Sequence, residues 1–396
     1  MRLPRLLTAV GLGAGIIAAC ATQSSPLAQD GDPPGVAGAA GVGGAAGGSG
    51  AGTSGAAGQD SAGGAGASGG DGGAGEAGEG GQGGDAGQGG DAGQAGAAGA
   101  PPVLVNEPDG PAEFRWMNGF TDVPSARFCF LPWSGADPLG IDTKPQPEGV
   151  DLPYGELLTP GFPSSFEPAT QAFRAFALTG ELAASGGQGC LALVQSPPAG
   201  VRVTPLPVLP PGATTAPRSR LVVTTGCVGG AQVPDISSAC GVGVDPQAGN
   251  AGMILVELSR IAPPEEKMGI QVVHGSAAMS SLAVRVLPAG SELPKTLVGS
   301  VSPGQIAPRP PLAESVEGLF GVSQEATQYQ LWDATVGAQL AAFSAGASLG
   351  ESGIPQEQVA AGKGLVLVVL GPRPGSPVDA APVAPTRLRW LAAPSL

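Results

Sequence analysis

FRWMNGFTDVPSARFCFLP at 114–132 and IQVVHGSAAMSSLAVRVLP at 270–288 align without a gap. Identities are few: Gly119 with Gly275, Ser125 with Ser281, Leu131 with Leu287 and Pro132 with Pro288. The pattern is kept throughout, as an apolar strand, a turn of small residues and a second apolar strand. A later stretch recurs too, RLVVTTG at 220–226 and GLVLVVLG at 364–371. Two β-rich units built on one plan are therefore expected.

Other short runs bounded by Gly and Pro read as strands: CLALVQ, MILVEL and TRLRWL among them. No window sustains a helical period; QEATQYQLWDA comes nearest and reads equally well as a strand. The expected fold is all-β, with two tandem antiparallel β-sandwich domains of about 145 residues each. The boundaries read from composition and turn spacing are 102–245 and 246–396.

The chain begins MRLPRLLTAVGLGAGIIAAC. Arg2 and Arg5 make a positive head, and Leu6 to Ala19 run without a charge. That run is shorter than the about 20 residues of a spanning helix but suits a signal-peptide core. Ile17-Ala18-Ala19-Cys20 resembles the lipobox of bacterial lipoproteins. The resemblance implies a signal peptide at 1–19, diacylglycerol on the Cys20 thiol and acylation of its amino group. Two or more acyl chains give a stable anchor. Ala21 is not the aspartate that tends to hold enterobacterial lipoproteins at the inner membrane, so an outer-membrane address is expected, on its periplasmic or surface face.

Residues 20–101 read as a low-complexity, disordered linker. They hold no aromatic residue, and no Lys or Arg falls between Arg5 and Arg115. Such a segment buries too little apolar surface to offset the entropy of ordering it. Glycine recurs at every third position from Gly35 to Gly50 and from Gly63 to Gly99, and GGDAGQ repeats at 83–88 and 89–94. Collagen shares the period, but proline is missing from 35 to 100 and the register breaks. A Gly-rich coil of residues 21–100 would span about 50 Å.

The repeated strand–turn–strand unit resembles the opening of a family of secreted bacterial β-sandwich domains of unknown function, often in tandem on lipoproteins. Members open with a segment like R-V-V-H-A-S-P-D-A-P-x-V-D-V-Y. Val272, Val273, His274, Ser276, Val284 and Val286 match it in the second copy. In the first, Asn118 stands at the His position and Pro124 at the last Pro. The usual aspartates and final tyrosine are missing from the second copy, and the resemblance brings no catalytic residue.

His274 is the chain's one histidine. Alternation puts Ile270, Val272 and His274 on one strand face, with the His at the mouth of a turn. Asn118 at the matching position can bond a turn backbone but cannot serve as a base at neutral pH. Both are expected to fasten turns. GASLG at 346–350 matches the nucleophile-elbow pattern, but no histidine follows Ser348 and no helix pattern does either, so Ser348 reads as a loop serine. Glu265–Glu266 and Glu314/Glu317 could act as carboxylate pairs without histidine, but nothing in the sequence brings them together. With one His and cysteines that lack zinc-site spacing, no metal site or cofactor is expected; calcium on carboxylates and carbonyls stays open, though no D-x-[DN]-x-[DN]-G loop appears. A net charge of −14, with Lys144, Lys267, Lys295 and Lys363 the sole lysines, disfavours nucleic acid.

Cys129, Cys190, Cys227 and Cys240 remain after Cys20, an even number in an exported chain. Three pairings are possible; the sequential bridges 129–190 and 227–240 are expected. Alternation along ARFCFLP puts Cys129 on the face opposite Phe128 and Phe130, where the second copy has Arg285. The expected function is non-catalytic: a lipid-anchored cell-envelope protein presenting its sandwiches for adhesion, scaffolding or ligand binding, with an envelope protein or polysaccharide as partner. The alternative is a carbohydrate-binding or carbohydrate-active protein that uses Trp133 or Trp332 as stacking platforms.

Overall fold

The computed structural model describes residues 112–394 except 186, 216, 231–235 and 376–382. The signal peptide, Cys20 and the Gly-rich linker lie outside the described residues. The first repeat contributes β1 (Phe114–Met117), β2 (Ser125–Ser134), β3 (Asp137–Pro138), β4 (Leu152–Pro153), β5 (Leu157–Leu158), β6 (Phe173–Gly180), β7 (Val201–Leu209), β8 (Ser219–Thr225) and β9 (Gly252–Leu258). The second contributes β10 (Met268–His274), β11 (Leu282–Leu287), β12 (Lys295–Val301), β13 (Ile306–Glu314), β14 (Gln328–Asp333), β15 (Ala338–Ser344), β16 (Gly364–Leu370) and β17 (Arg387–Ala392). Four short helices join them: α1 (Cys190–Gln195), α2 (Ile236–Cys240), α3 (Val316–Phe320) and α4 (Ala345–Glu351).

The fold is all-β, and the repeat extends to topology. One sheet of the first sandwich has the order β5-β1-β8-β9, and its counterpart in the second is β13-β10-β16-β17. The other sheets run β3-β2-β6-β7 and β12-β11-β14-β15. In each repeat the first strand pairs in parallel with the penultimate one: Phe114 to Met117 along Arg220 to Val223, and Ile270 to Val273 along Leu365 to Val368. The sandwiches are thus mixed, not purely antiparallel. The expected division at 245/246 also moves. MILVEL forms β9 and pairs along the whole of β8, so the first sandwich runs through Leu258.

Each sandwich has its own core. Trp116, Phe128, Phe130 and Phe173 fill the first, and Tyr329, Phe320, Leu367 and Trp390 the second. A third cluster joins the two β1- and β10-bearing sheets: Met117, Val223, Val256 and Leu258 meet Val273, Val366, Val368 and Leu370. The sheets therefore stack in four layers. Polar contacts seal the joint. Arg389 on β17 donates through Nε to the Gly155 carbonyl at 2.8 Å and pairs with Glu156, while Arg115 Nη1 donates to the Ala392 carbonyl at 2.8 Å.

CLALVQ, expected as a strand, is the helix α1. Asp142 Oδ1 accepts from the Leu191 amide at 2.9 Å at its first turn, and Cys190 and Leu193 face the sheet together. Those two positions are neighbours on a helix and would lie on opposite faces of a strand. Both expected disulfides form, with Cα–Cα distances of 5.4 Å for Cys129–Cys190 and 5.5 Å for Cys227–Cys240. They close separations of 61 and 13 residues, about 4 and about 3 kcal/mol in a chain-entropy account.

At the joint, Gly119 and Gly275 lie under the same two side chains, Val223 and Leu370. A Cβ on Gly119 would stand 2.2 Å from the Thr224 carbonyl oxygen, whereas one on Gly275 would meet the tip of Leu370 at 2.9 Å and a strand carbonyl, that of Val369, only at 3.1 Å. A side-chain tip can move and a strand carbonyl cannot. Gly119→Ala should therefore cost about 3 kcal/mol and Gly275→Ala about 1 kcal/mol. Denaturant melts of the two variants check the order, and equal costs would contradict this packing.

Candidate functional site

The two turns that follow β1 and β10 hold most of the buried polar side chains that sequence reading selects. His274 ends β10 with no exposed surface. Its amide donates to the Gln305 carbonyl at 3.0 Å, and its carbonyl accepts from Gly304 at 2.9 Å. On the ring, Nε2 bonds the Ser280 carbonyl at 2.9 Å, and Nδ1 accepts from the Ser276 amide at 3.3 Å. A carbonyl only accepts, so the proton sits on Nε2. Both nitrogens are engaged, leaving none for a metal or a substrate proton.

Asn118 repeats the arrangement. Its amide donates to Glu156 at 3.1 Å, its carbonyl accepts from Gly155 at 2.6 Å, and Oδ1 accepts from the amide two residues on, Phe120, at 3.4 Å. Nδ2 donates to the Leu152 carbonyl at 2.9 Å. Gly155 and Gly304 take equivalent places with φ of 78° and 76°, which side-chain-bearing residues resist. The turns are also tied to the chain after the penultimate strands. Asp122 accepts from the amides of Val228 and Gly229 at 2.9 and 2.8 Å, and Ser276 Oγ donates to the Gly371 carbonyl at 2.5 Å. Burial pushes the Asp122 carboxyl upward, against the pull of those amides.

Sequence reading missed Asp122, Gly155 and Gly304, and marked Ser276 only through the family resemblance. The Gly-Glu at 155–156 and Gly-Gln at 304–305, each just before or within the strand edge that answers Asn118 or His274, are the one signal that could have marked them. Spacing differs between the copies, so the ungapped alignment could not extend that far.

Ser348 lies on α4 and not in a loop. Its hydroxyl donates to the Ala345 carbonyl at 3.0 Å and accepts from the Trp390 indole at 2.9 Å, so it serves as a packing hinge beneath the core Trp. The short helix forms because Ser344 caps it, accepting from the Ala347 amide at 3.3 Å. Glu265 and Glu266 are exposed on a loop. Glu314 is paired with Lys295, while Glu317 points outward on α3. Among the described residues, no group of three or more His, Cys, Asp or Glu is placed to hold a metal ion.

Trp133 and Trp332 are half-buried, and each lies with an arginine over its ring: Arg174 at 5.1 Å and Arg285 at 4.1 Å from the ring centres. Their indoles donate internally, to the Gly135 carbonyl at 2.8 Å and to Gln330 Oε1 at 3.2 Å. Trp116 and Trp390 are buried in the two cores. A cavity of about 210 Å³ lies between the end of β15, α4 and the start of β17, with Phe343, Glu351 and Arg387 in its wall. A more open groove of about 420 Å³ runs between Ala289 and Glu317. Ser348 lines the cavity beside Glu351 and Glu317 lines the groove, but neither space brings a histidine or a second member of the carboxylate pairs to them. No protein-family model and no curated protein matches the chain.

Burial lowers the His274 pKa from 6.5 to about 4, with the Ser280 carbonyl pulling the other way. The unfolded chain therefore binds the extra proton first, and the stability held at neutral pH is lost as pH falls from about 6.5 towards 4. The shift corresponds to about 3 kcal/mol. His274→Asn should keep stability near wild type at pH 7 and flatten this acid slope. His274→Ala should cost about 1–3 kcal/mol by leaving backbone partners unpaired. Denaturant titrations across that range check both, and an unchanged slope in the Asn variant would refute the buried neutral imidazole.

Proposed function

We propose that this chain is a non-catalytic lipoprotein of the bacterial outer membrane, anchored through Cys20 and presenting its two sandwiches as a rigid adhesive or scaffolding body. The partner is an envelope protein or a surface polysaccharide. The observation that carries the reading is the use of His274: both ring nitrogens and both backbone groups are bonded within the fold, in the same pattern that Asn118 makes without any acid–base capacity. Ser348 is spent in the same way, on Trp390 and Ala345.

Further support comes from the joint between the sandwiches. A shared apolar cluster and two arginines that cross it fix the spacing of the outer faces, as presentation of a surface requires. The carbohydrate reading has less behind it, because arginines already occupy a face of each half-buried Trp.

The anchor is tested by Cys20→Ser. The wild type should incorporate an acyl analogue during growth and fractionate with membranes, whereas Cys20→Ser should lose the label and appear in the soluble fraction. A label retained on Cys20→Ser would overturn the anchor. Loss of function in a stably folded His274→Asn protein would overturn the non-catalytic reading.

A further inference from the structure

A buried polar atom without a partner calls for an explanation, because nearly all such atoms in folded proteins are bonded. Nε of Arg285 is buried and meets no acceptor. Arg220 and Arg309 also have a buried, unpaired nitrogen, but each bonds a carbonyl through another. Arg285 does not. Among the described residues none accepts a hydrogen bond from its guanidinium and none pairs with its charge. It is held by stacking on Trp332, with Cζ 4.1 Å from the ring centre, and Trp332 is itself pinned to Gln330 Oε1 at 3.2 Å.

Alternation places this pair on the outward face of the sheet β12-β11-β14-β15, since Val284, Val286, Tyr329 and Leu331 fill the core. Arg285 lies between Thr296 on β12 and Gln330 on β14, and Trp332 lies between Ala283 and Gln339. Thr296, Gln328, Gln339 and Ala342 are exposed around them. No Asp or Glu takes an outward position on these four strands; Asp333 shares the core side with Leu331 and pairs with Arg373. The first sandwich closes its matching face. There α1 and the disulfide cover Cys129, and Arg174, which also lies over a Trp, donates through Nε to the Leu206 carbonyl at 2.8 Å.

We infer that this open face binds an acidic polysaccharide, a chain of sugars bearing carboxylates, and that Arg285 is the group that takes a carboxylate. The inference rests on the polysaccharide branch of the reading above and names its chemistry. A planar guanidinium matches a carboxylate with two parallel bonds, and stacking on an indole presets its orientation. One guanidinium balances one carboxylate, whereas a phosphate monoester carries a charge of about −2 and would be left half paired. The neighbours are amides and hydroxyls, the donors and acceptors that sugar hydroxyls require. None of the exposed large apolar side chains lies on these four strands, so a protein partner finds no apolar centre to pack against. The net charge of −14 repels a polyanion over the rest of the surface and leaves it the place where acids are missing. Trp332 serves here as the backing of the guanidinium and not as a sugar platform.

The test passes the full chain carrying Cys20→Ser over immobilised polygalacturonate, its methyl ester, neutral dextran, dextran sulfate and poly-L-glutamate. Polygalacturonate should retain the protein and release it as salt rises, and the other four should retain it less. Arg285→Gln should weaken retention about tenfold, the share of one charge-assisted pair. Arg285→Lys should weaken it as well, since a point charge lacks the fork. Lys363→Gln removes an exposed cation elsewhere and should change nothing. Equal retention on dextran would replace the charge-led site with ring stacking and so refute it. Equal retention on dextran sulfate would refute the carboxylate, and on poly-L-glutamate the polysaccharide. An Arg285→Gln chain with wild-type circular dichroism that binds as well as Lys363→Gln would overturn the site, as would a Cys20→Ser chain that polygalacturonate never retains. The anchor plays no part in this experiment, so acyl labelling at Cys20 stands or falls separately.

Discussion

Two side chains that are missing decide how the halves of this molecule meet. Gly119 and Gly275 open the turns after β1 and β10, and the space each leaves is taken by Val223 of one sandwich and Leu370 of the other. With the backbones this close, the two inner sheets share one apolar cluster, and their polar margins come within reach of Arg115 and Arg389. The residues that precede these glycines bond forward into the turns. Asn118 and His274 do this with unlike chemistry and like geometry. The one histidine has both ring nitrogens bonded within its turn.

Legibility in the sequence followed locality. The paired openings were readable because strand, turn and strand are contiguous and the turn keeps its length, which fixes register on both sides. The parallel pairing of β1 with β8 joins segments about a hundred residues apart, and period-two alternation says nothing of the partner. Prolines at 205, 207, 308, 310 and 311 hid β7 and β13, since proline argues against a central strand while an edge tolerates it. CLALVQ misled because a six-residue apolar run fits either period, and what decides it is Asp142, far upstream. The division at 245 failed because β9 follows a long glycine-rich connection yet returns to β8. Of the site, the cysteine pairing and the turn role of 118 and 274 were visible. The bonds by which Asp122 and Ser276 fasten the turns were not, since their partners are backbone groups that leave no mark in the sequence.

The two copies have diverged most on their outer sheets. In the first, Cys129 points outward with Leu131, Phe176 and Leu178, and the connection bearing α1 folds over them, held by the disulfide to Cys190. In the second, the place of Cys129 is taken by Arg285, stacked on Trp332, and β14 passes to β15 through a short turn. One outer face is therefore an added apolar layer and the other a wet surface. The first copy relies on covalent closure and the second on its core, so reduction should be felt by one half before the other.

The position of β1 has a mechanical side. Among the described residues the first strand is β1, which lies inside its sheet between β5 and β8 and not at an edge. A pull along β1 from its N-terminal end cannot peel a strand away one bond at a time. It must slide β1 against a parallel neighbour, straining the pairs from Phe114–Arg220 to Met117–Val223 together, while Arg115 holds the final strand of the chain. Tension from that side is thus resisted in shear by bonds acting in concert, and the sandwich would yield abruptly rather than unravel.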